Sequence, residues 1–575
     1  MESETQSCKN CKKDFTIEPE DFKYYEKIKV PPPTWCPECR LRRRLVFLNH
    51  RSLYRRSCDM CAKSMISMYD VGTSFSVYCP DCYWSDKWDA REYGQEYDFS
   101  IPFFEQYEKL EKRIPHLSLM GLHSTWVNSD YNNYAGYLRN CYLLFNSDYS
   151  ENCIYGSEVE SSKECVDNIM IDSCELCYEG TNLIRCYGTR FSRDCEDCQN
   201  VWFSKNCANC SDCVGCINLR NKKFNIFNVQ YSKEAYLQKM KEFKLNFHEG
   251  VLALKAETEK FFEKFPQKFI HGRKNDNVSG DYINQSKNVR DTYIALGARD
   301  CRYCMWLIVA PNKDCYDYTQ FGDNAELIYE SLVCGGGVSN IKFSRSCVDT
   351  CSDIQYSFNC YSASHMFGCS NIQRGNSYCI LNKQYSKDEY ENLLPKVIEH
   401  MRSTKEYGQF FPEKLSPFAY NETMAQEHFP LTKEEAIAVN YQWKEGPERN
   451  YKIEVQAEDI PGTAEKLENS IVNKVIECAH KGKCNEQCTE AFKIIENEIR
   501  FYKKMNLPPP RLCPNCRHYQ RSKYRNPIKL WHRQCMCNQQ GHIHEGNCQN
   551  NFETTYAPNI AEAIYCETCY QAEFL

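Results

Sequence analysis

Cys153–Cys216 reads CIYGSEVESSKECVDNIMIDSCELCYEGTNLIRCYGTRFSRDCEDCQNVWFSKNCANCSDCVGC. Within it Cys153, Cys174, Cys195 and Cys216 stand 21 residues apart, as do Cys165, Cys186 and Cys207. Asn, Asp, Ser or Arg often precedes the cysteine, and short Tyr, Val, Ile and Phe segments lie between. A repeat of about 20 residues predicts a β-solenoid, each coil carrying two short strands and two corners, with equivalent residues stacked at about 4.8 Å. The cysteine series then become ladders inside the coil.

The stretch has a copy. From Cys174 the chain runs through ELCYE, then FSR before Cys195, then Cys207, Cys216 and QYSKE from Gln230. From Ala325 it runs through ELIYE, then FSR before Cys347, then Cys360, Cys369 and QYSKD from Gln384. The run Cys207-x-x-Cys210-x-x-Cys213-x-x-Cys216 is superficially like an iron–sulfur motif, but in the copy Ala363 and Met366 occupy the two middle positions. Those side chains pack and do not ligate, which favours a solenoid interior over a cluster.

A second duplication relates the two ends. Cys8-x-x-Cys11 is followed by Cys36-x-x-Cys39 and Cys58, and Cys484-x-x-x-Cys488 by Cys513-x-x-Cys516 and Cys535, in coincident registers. The flanks VPPP and LPPP, and the arginines after each second knuckle, match as well. Paired C-x-x-C knuckles supply the four soft ligands of a closed zinc site. Cys8, Cys11, Cys36 and Cys39 form one predicted site, and Cys58, Cys61, Cys79 and Cys82 a second. Cys484, Cys488, Cys513 and Cys516 form a third, and Cys535, Cys537, Cys566 and Cys569 a fourth by correspondence. Next to the fourth, an insertion bearing His542, His544 and Cys548 offers a replacement ligand or a place for another ion. About four structural zinc ions are therefore expected, with no open coordination position for water. Buried thiols or redox pairs are the alternative.

The fold class that follows is mainly β with α: a duplicated β-solenoid (β-helix-like) middle flanked at each end by paired zinc-ribbon or treble-clef modules, with connecting helices. The expected divisions are a paired zinc module over 1–85, a helical connector over 86–123, and repeat units over 124–230 and 280–385 with a helical segment, 231–279, between them. A helix and linker containing Pro412, Pro417, Pro430, Pro447 and Pro461 occupy 386–470, and the second paired zinc module 471–575. Phe103, Tyr107, Leu110 and Ile114 share a helical face; Ser386 with Glu389, and Thr432 with Glu435, read as capping boxes.

Composition bounds the setting. There are 39 cysteines, but the polar start MESETQS lacks a secretory signal, and no run of about 18 apolar residues suggests a membrane span. A reducing, cytoplasmic location with metal ligands and buried thiols is the expectation. Net charge is −6, yet Arg40–Arg56 and Arg511–Arg533 each hold seven Lys or Arg and no acid. Arg40, Arg42, Arg43, Arg44, Arg51, Arg55 and Arg56, with Arg517, Arg521, Lys523, Arg525 and Arg533, are the candidate contacts to nucleic acid, RNA above all. Phe47, His50, Tyr54, His518, Tyr519, Tyr524 and Trp531 are interleaved as stacking partners. Internal pairing with the chain's own acids is the other use open to those arginines, and a protein partner on the solenoid face the other function. No Ser-His-Asp, Cys-His or paired-carboxylate spacing points to an enzyme, and the hexapeptide beat of acyltransferase solenoids is absent.

The segments YEKIKVPPPTWCPECRLRRRL, DFSIPFFEQYEKL, NSDY, FSRDC, LRNKKFNIFN and IYCETCY resemble an uncharacterised cysteine-rich zinc-ribbon family of candidate-phyla bacteria, over nearly the full length. Some members of that family carry the label CaiB/BaiF-type CoA transferase. The resemblance implies the architecture above, and no Gly-rich nucleotide turn follows a strand in this chain.

Overall fold

The computed structural model describes residues 2–373, 375–446 and 451–574; Pro447 of the expected linker lies outside them. It is a mixed α/β structure with cysteine clusters at both ends. Two parallel stacks of short strands form the middle. In the first, Ile169 lies opposite Ser157 on one side and Thr181 on the other, so one rung of the stack is 12 residues long. The bridges Arg139↔Glu151↔Lys163↔Glu175 and Ile154↔Val166↔Tyr178↔Arg190 run beside that ladder with the same offset.

The rung therefore differs from the expected coil of about 20 residues with two strands and two corners. Bridges recur every three residues along it, so each rung carries four such steps. Every third residue from Tyr134 to Phe227 takes a positive φ, Gly188 and Gly215 included. Each non-glycine residue held there costs on the order of 1 kcal/mol, least for Asn and Asp. Those two residues supply Asn140, Asn152, Asn182, Asp194, Asn200, Asn206 and Asp212 at such positions. Their side chains also tie rungs together, as in Asn128 to Asn140 and Asn140 to Asn152, both 3.1 Å. The 21-residue cysteine interval spans one full rung and three steps of the next.

Inside the first stack, small polar side chains serve the backbone. Ser162 Oγ donates to the Glu160 carbonyl and accepts from the Cys174 amide. One rung on, Cys174 Sγ accepts from the Cys186 amide. Thiol and hydroxyl thus fill the same role at one inward position. Cys207, Cys210, Cys213 and Cys216 follow the same pattern, each Sγ facing the carbonyl two residues before it and one nine residues after.

The second stack mixes aliphatic side chains with cysteines in its interior and is less even. Its offset varies from 11 residues at Val278↔Val289 to 14 at Ala298↔Asn312 and 13 at Ser339↔Ser352. Ile328, Ile341, Ile354, Met366 and Cys379 form one fully buried internal ladder. Both stacks end alike: an antiparallel strand closes the last edge, and a helix follows from Ser232 or Ser386. The capping boxes at Ser386 and Thr432 form. Residues 232–265 are helical in two pieces, Lys233–Glu242 and His248–Phe262. Phe103–Arg113 buries Phe103, Tyr107 and Leu110 against the second stack. Gln320 joins the two stacks, accepting from His50 and donating to Asn146. Among the described residues no helix is long and apolar enough to cross a membrane.

Candidate metal centres

Each terminal cysteine group is assembled from one hairpin and one helix start. Glu4–Ser7 pairs with Asp14–Ile17, placing Cys8 and Cys11 in the turn, while Cys36 caps the helix Pro37–Leu45 and Cys39 sits in its first turn. Tyr54–Ser57 and Ser64–Ser67 carry Cys58 and Cys61, and Pro80–Tyr83 carries Cys79 and Cys82. The C-terminal pair repeats the plan with the helices Pro514–Ser522 and Glu567–Phe574. In all four, the amide of the helix-start cysteine donates to the first hairpin sulfur, at 3.2 to 3.3 Å. Burial pushes the Cys58 thiol up, but amides of Cys79, Cys61 and Met60 outweigh it and bring it down to about 7. That sulfur is ready to ligate as a thiolate.

The donor set fits a tetrahedral ion. Four sulfurs at 2.3 Å from one centre lie about 3.8 Å apart, far beyond the roughly 2.05 Å of a disulfide. The observed separations are 3.7 Å for Cys11–Cys36, 3.9 Å for Cys61–Cys79, 3.9 Å for Cys478–Cys516 and 4.0 Å for Cys548–Cys566. The N-terminal groups are the expected ones, Cys8, Cys11, Cys36, Cys39 and Cys58, Cys61, Cys79, Cys82.

Two C-terminal ligand sets depart from expectation. The third gathers Cys478, Cys488, Cys513 and Cys516; Cys484 stands 3.7 Å from Cys516 as a fifth thiol. Cys478 was hidden because its turn is long: the amide of Cys8 bonds Lys13, whereas that of Cys478 bonds Glu490. The fourth gathers Cys535, Cys548, Cys566 and Cys569, with Cys548 in place of Cys537. Here the turn closes between Cys535 and Asn550, where the N-terminal one closes between Cys58 and Lys63.

The arginines that follow the knuckles point inward. The helix Pro37–Leu45 lies on the second stack, where Arg40 and Arg44 flank Asp317 at 2.8 and 3.1 Å and Arg43 pairs with Glu330. The helix Pro514–Ser522 lies on the first stack, where Arg517 and Arg521 flank Asp167 at 2.8 and 3.0 Å and Arg521 also reaches Glu179 at 3.0 Å. All four guanidiniums flanking the two aspartates are at most 3% exposed. Burial alone would depress Arg40 and Arg517; Asp317 and Asp167 outweigh it and hold both well above the ordinary range. These are close charge contacts more than aligned hydrogen bonds, since several of the nitrogens and both Asp167 oxygens lack hydrogen-bond geometry.

The remaining predicted contacts are also engaged internally. Arg51 reaches Ser157 and Asn515, joining the two ends, and Arg55 reaches Tyr131. Arg56 pairs with Asp59, Lys523 with Glu486, and Arg525 with Glu158 and Glu427. Arg533 donates to the Tyr556 and Ala557 carbonyls, and Arg42 shares a contact with Tyr441. Phe47, His50 and His518, expected as stacking partners for bases, are buried. The acids opposite the helices escaped sequence reading, although Asp167 and Glu179, like Asp317 and Glu330, lie one rung apart at matching places in the two copies.

A cavity of about 430 Å³ between the first stack, the start of the second and residues 556–571 is lined by Asp194, Lys205, His271, Arg273 and Tyr556. Some of its charges are paired, His271 with Asp281 at 2.9 Å and Arg273 with Glu196. Comparison with protein-family models and with curated protein sequences finds no match.

Proposed function

We propose that the chain is a zinc-stabilised, non-enzymatic scaffold of the cytoplasm whose two stacks form a duplicated β-solenoid, and whose exposed solenoid face binds a partner protein. The observation that carries this reading is the destination of the arginines. A guanidinium sharing a buried carboxylate is not free to neutralise a phosphate, so the basic stretches are used to build the molecule. Zinc is the ion that four buried thiolates select in a closed tetrahedral site, and the resemblance to a cysteine-rich zinc-ribbon family agrees with it.

On the first stack Tyr137 and Tyr149, one rung apart, stack with ring centres 4.4 Å apart, and both are exposed, as are Leu122 and Val127. An apolar strip on a rigid, edge-capped stack suits a protein partner. The test is recovery of the tagged full-length chain from native cells with and without nuclease. The expected result is a protein that survives nuclease and is lost from Tyr137→Ser/Tyr149→Ser. Loss on nuclease treatment, with steep salt sensitivity, would return the function to RNA binding.

A further inference from the structure

The hairpin turn between Trp531–Gln534 and Asn551–Thr554 carries more ligands than one ion needs. With Cys535, Cys548, Cys566 and Cys569 forming the four-thiol group, Cys537, His542 and His544 remain. These three gather with Cys569 so that their ligand atoms lie within 4.8 Å of one another. We propose that they hold a second zinc ion that shares the Cys569 thiolate, making the C-terminal centre binuclear. The inference rests on the reading of the cysteine groups as metal sites.

Distances are the first support. Cys537 Sγ lies 3.3 Å from His542 Nδ1, and Cys569 Sγ 3.3 Å from His544 Nε2. Sulfur and nitrogen on one tetrahedral zinc ion lie about 3.5 Å apart. The outward nitrogens are the second, independent support. His542 Nε2 faces the Glu573 carboxylate at 3.4 Å, and His544 Nδ1 faces the Gly546 carbonyl at 3.0 Å. Each imidazole therefore donates its N–H away from the group and turns a lone pair into it, the arrangement that fixes the tautomer of a metal-bound histidine.

The loop is shaped for this. Gly541 and Gly546 have φ of 85° and 64°, which lets the chain turn back twice in a short span. The Cys548 amide donates to the Cys537 carbonyl at 2.9 Å, pinning the two groups together. Cys537 is fully buried although Met536 and Asn538 beside it are exposed. Charge also favours the shared ion. Two divalent ions on five thiolates and two neutral imidazoles leave one net negative charge, against two for a lone four-thiolate site. With two neutral imidazoles in place of thiolates, this ion should leave before those of the four-thiolate groups.

Elemental analysis and zinc-edge X-ray absorption on the full chain test it. The wild type should hold one zinc beyond the four-thiolate groups, with nitrogen ligands and a metal–metal distance in the absorption data. His542→Gln/His544→Gln should lose that one equivalent and both signals while keeping the rest. Equal zinc in the wild type and this variant, or no nitrogen ligation, would overturn the proposal. Glu573→Gln, which removes no ligand, should speed the release of one equivalent to a chelator and leave the slower equivalents unchanged; uniform acceleration would also overturn it. A chain without zinc in any site would instead sink the parent reading.

Discussion

The N-terminal helix on the second stack and the C-terminal helix on the first make the same contact from cysteine turns of different length. Arg40 and Arg44 hold Asp317 as Arg517 and Arg521 hold Asp167, with corresponding separations matching to 0.1 Å. Tyr25 and Tyr502 occupy corresponding buried places beside these pairs, and Asp21 and Glu498 reach across to Tyr303 and Tyr155. The ligand turns, by contrast, have diverged in length and composition. A buried interface of charges tolerates no displacement, whereas any four sulfurs that can close on one ion will serve.

Removing metal should break this comparison most severely. A structural zinc site contributes on the order of 10–16 kcal/mol of apparent folding energy. A strong chelator should therefore strip hydrogen-exchange protection from both helices and leave the stack interiors protected; retained helix protection would mean that the metal is dispensable. Next in size, Asp317→Ala and Asp167→Ala each strip the shared carboxylate from two buried guanidiniums, at a cost of up to about 3–5 kcal/mol. Denaturant unfolding should show the larger loss for Asp317→Ala, since Arg521 keeps Glu179 when Asp167 is removed; equal losses would show that Glu179 does not help hold the helix.

Between the stacks, Ile341→Ala should cost about 2–5 kcal/mol as a core truncation. Cys186→Ser should cost within roughly 1 kcal/mol, since the Ser162 hydroxyl makes the same bonds to the backbone two rungs back. A large loss from the serine variant would assign that thiol a role beyond packing.

The smallest effect concerns acid. Burial lowers His50 and His428 to about 4 each, against about 6.5 when unfolded. The unfolded chain takes up protons first as pH falls, so the stability these two contribute is complete above about 6.5 and declines toward 4. His50→Asn/His428→Gln should flatten the fall in melting temperature across that window; an unchanged slope would mean that other groups govern it.

Part of this was legible in residues and part was not. The knuckle spacings located both N-terminal ligand sets, because a C-x-x-C turn and a helix start are local devices. They failed at Cys478 and Cys548, where a lengthened turn moves the ligand away from its register. The 21-residue cysteine interval overstates the 12-residue rung because cysteines fall on several of its three-residue steps. The better signal was finer: every interval between successive cysteines from Cys141 to Cys216 is a multiple of three. The arginine helices were recognised, but their direction depends on acids some 280 residues or more away, which no local pattern reveals.

The crossed docking also orders events during synthesis. Glu330 follows Arg43 by 287 residues. At 5–20 residues per second the amino-terminal helix leaves the ribosome roughly 15–60 s before its acidic seat exists, while the carboxy-terminal helix meets a seat already complete. The nascent chain must shelter the arginines of the earlier helix through that interval, whereas those of the later helix can dock as soon as they emerge.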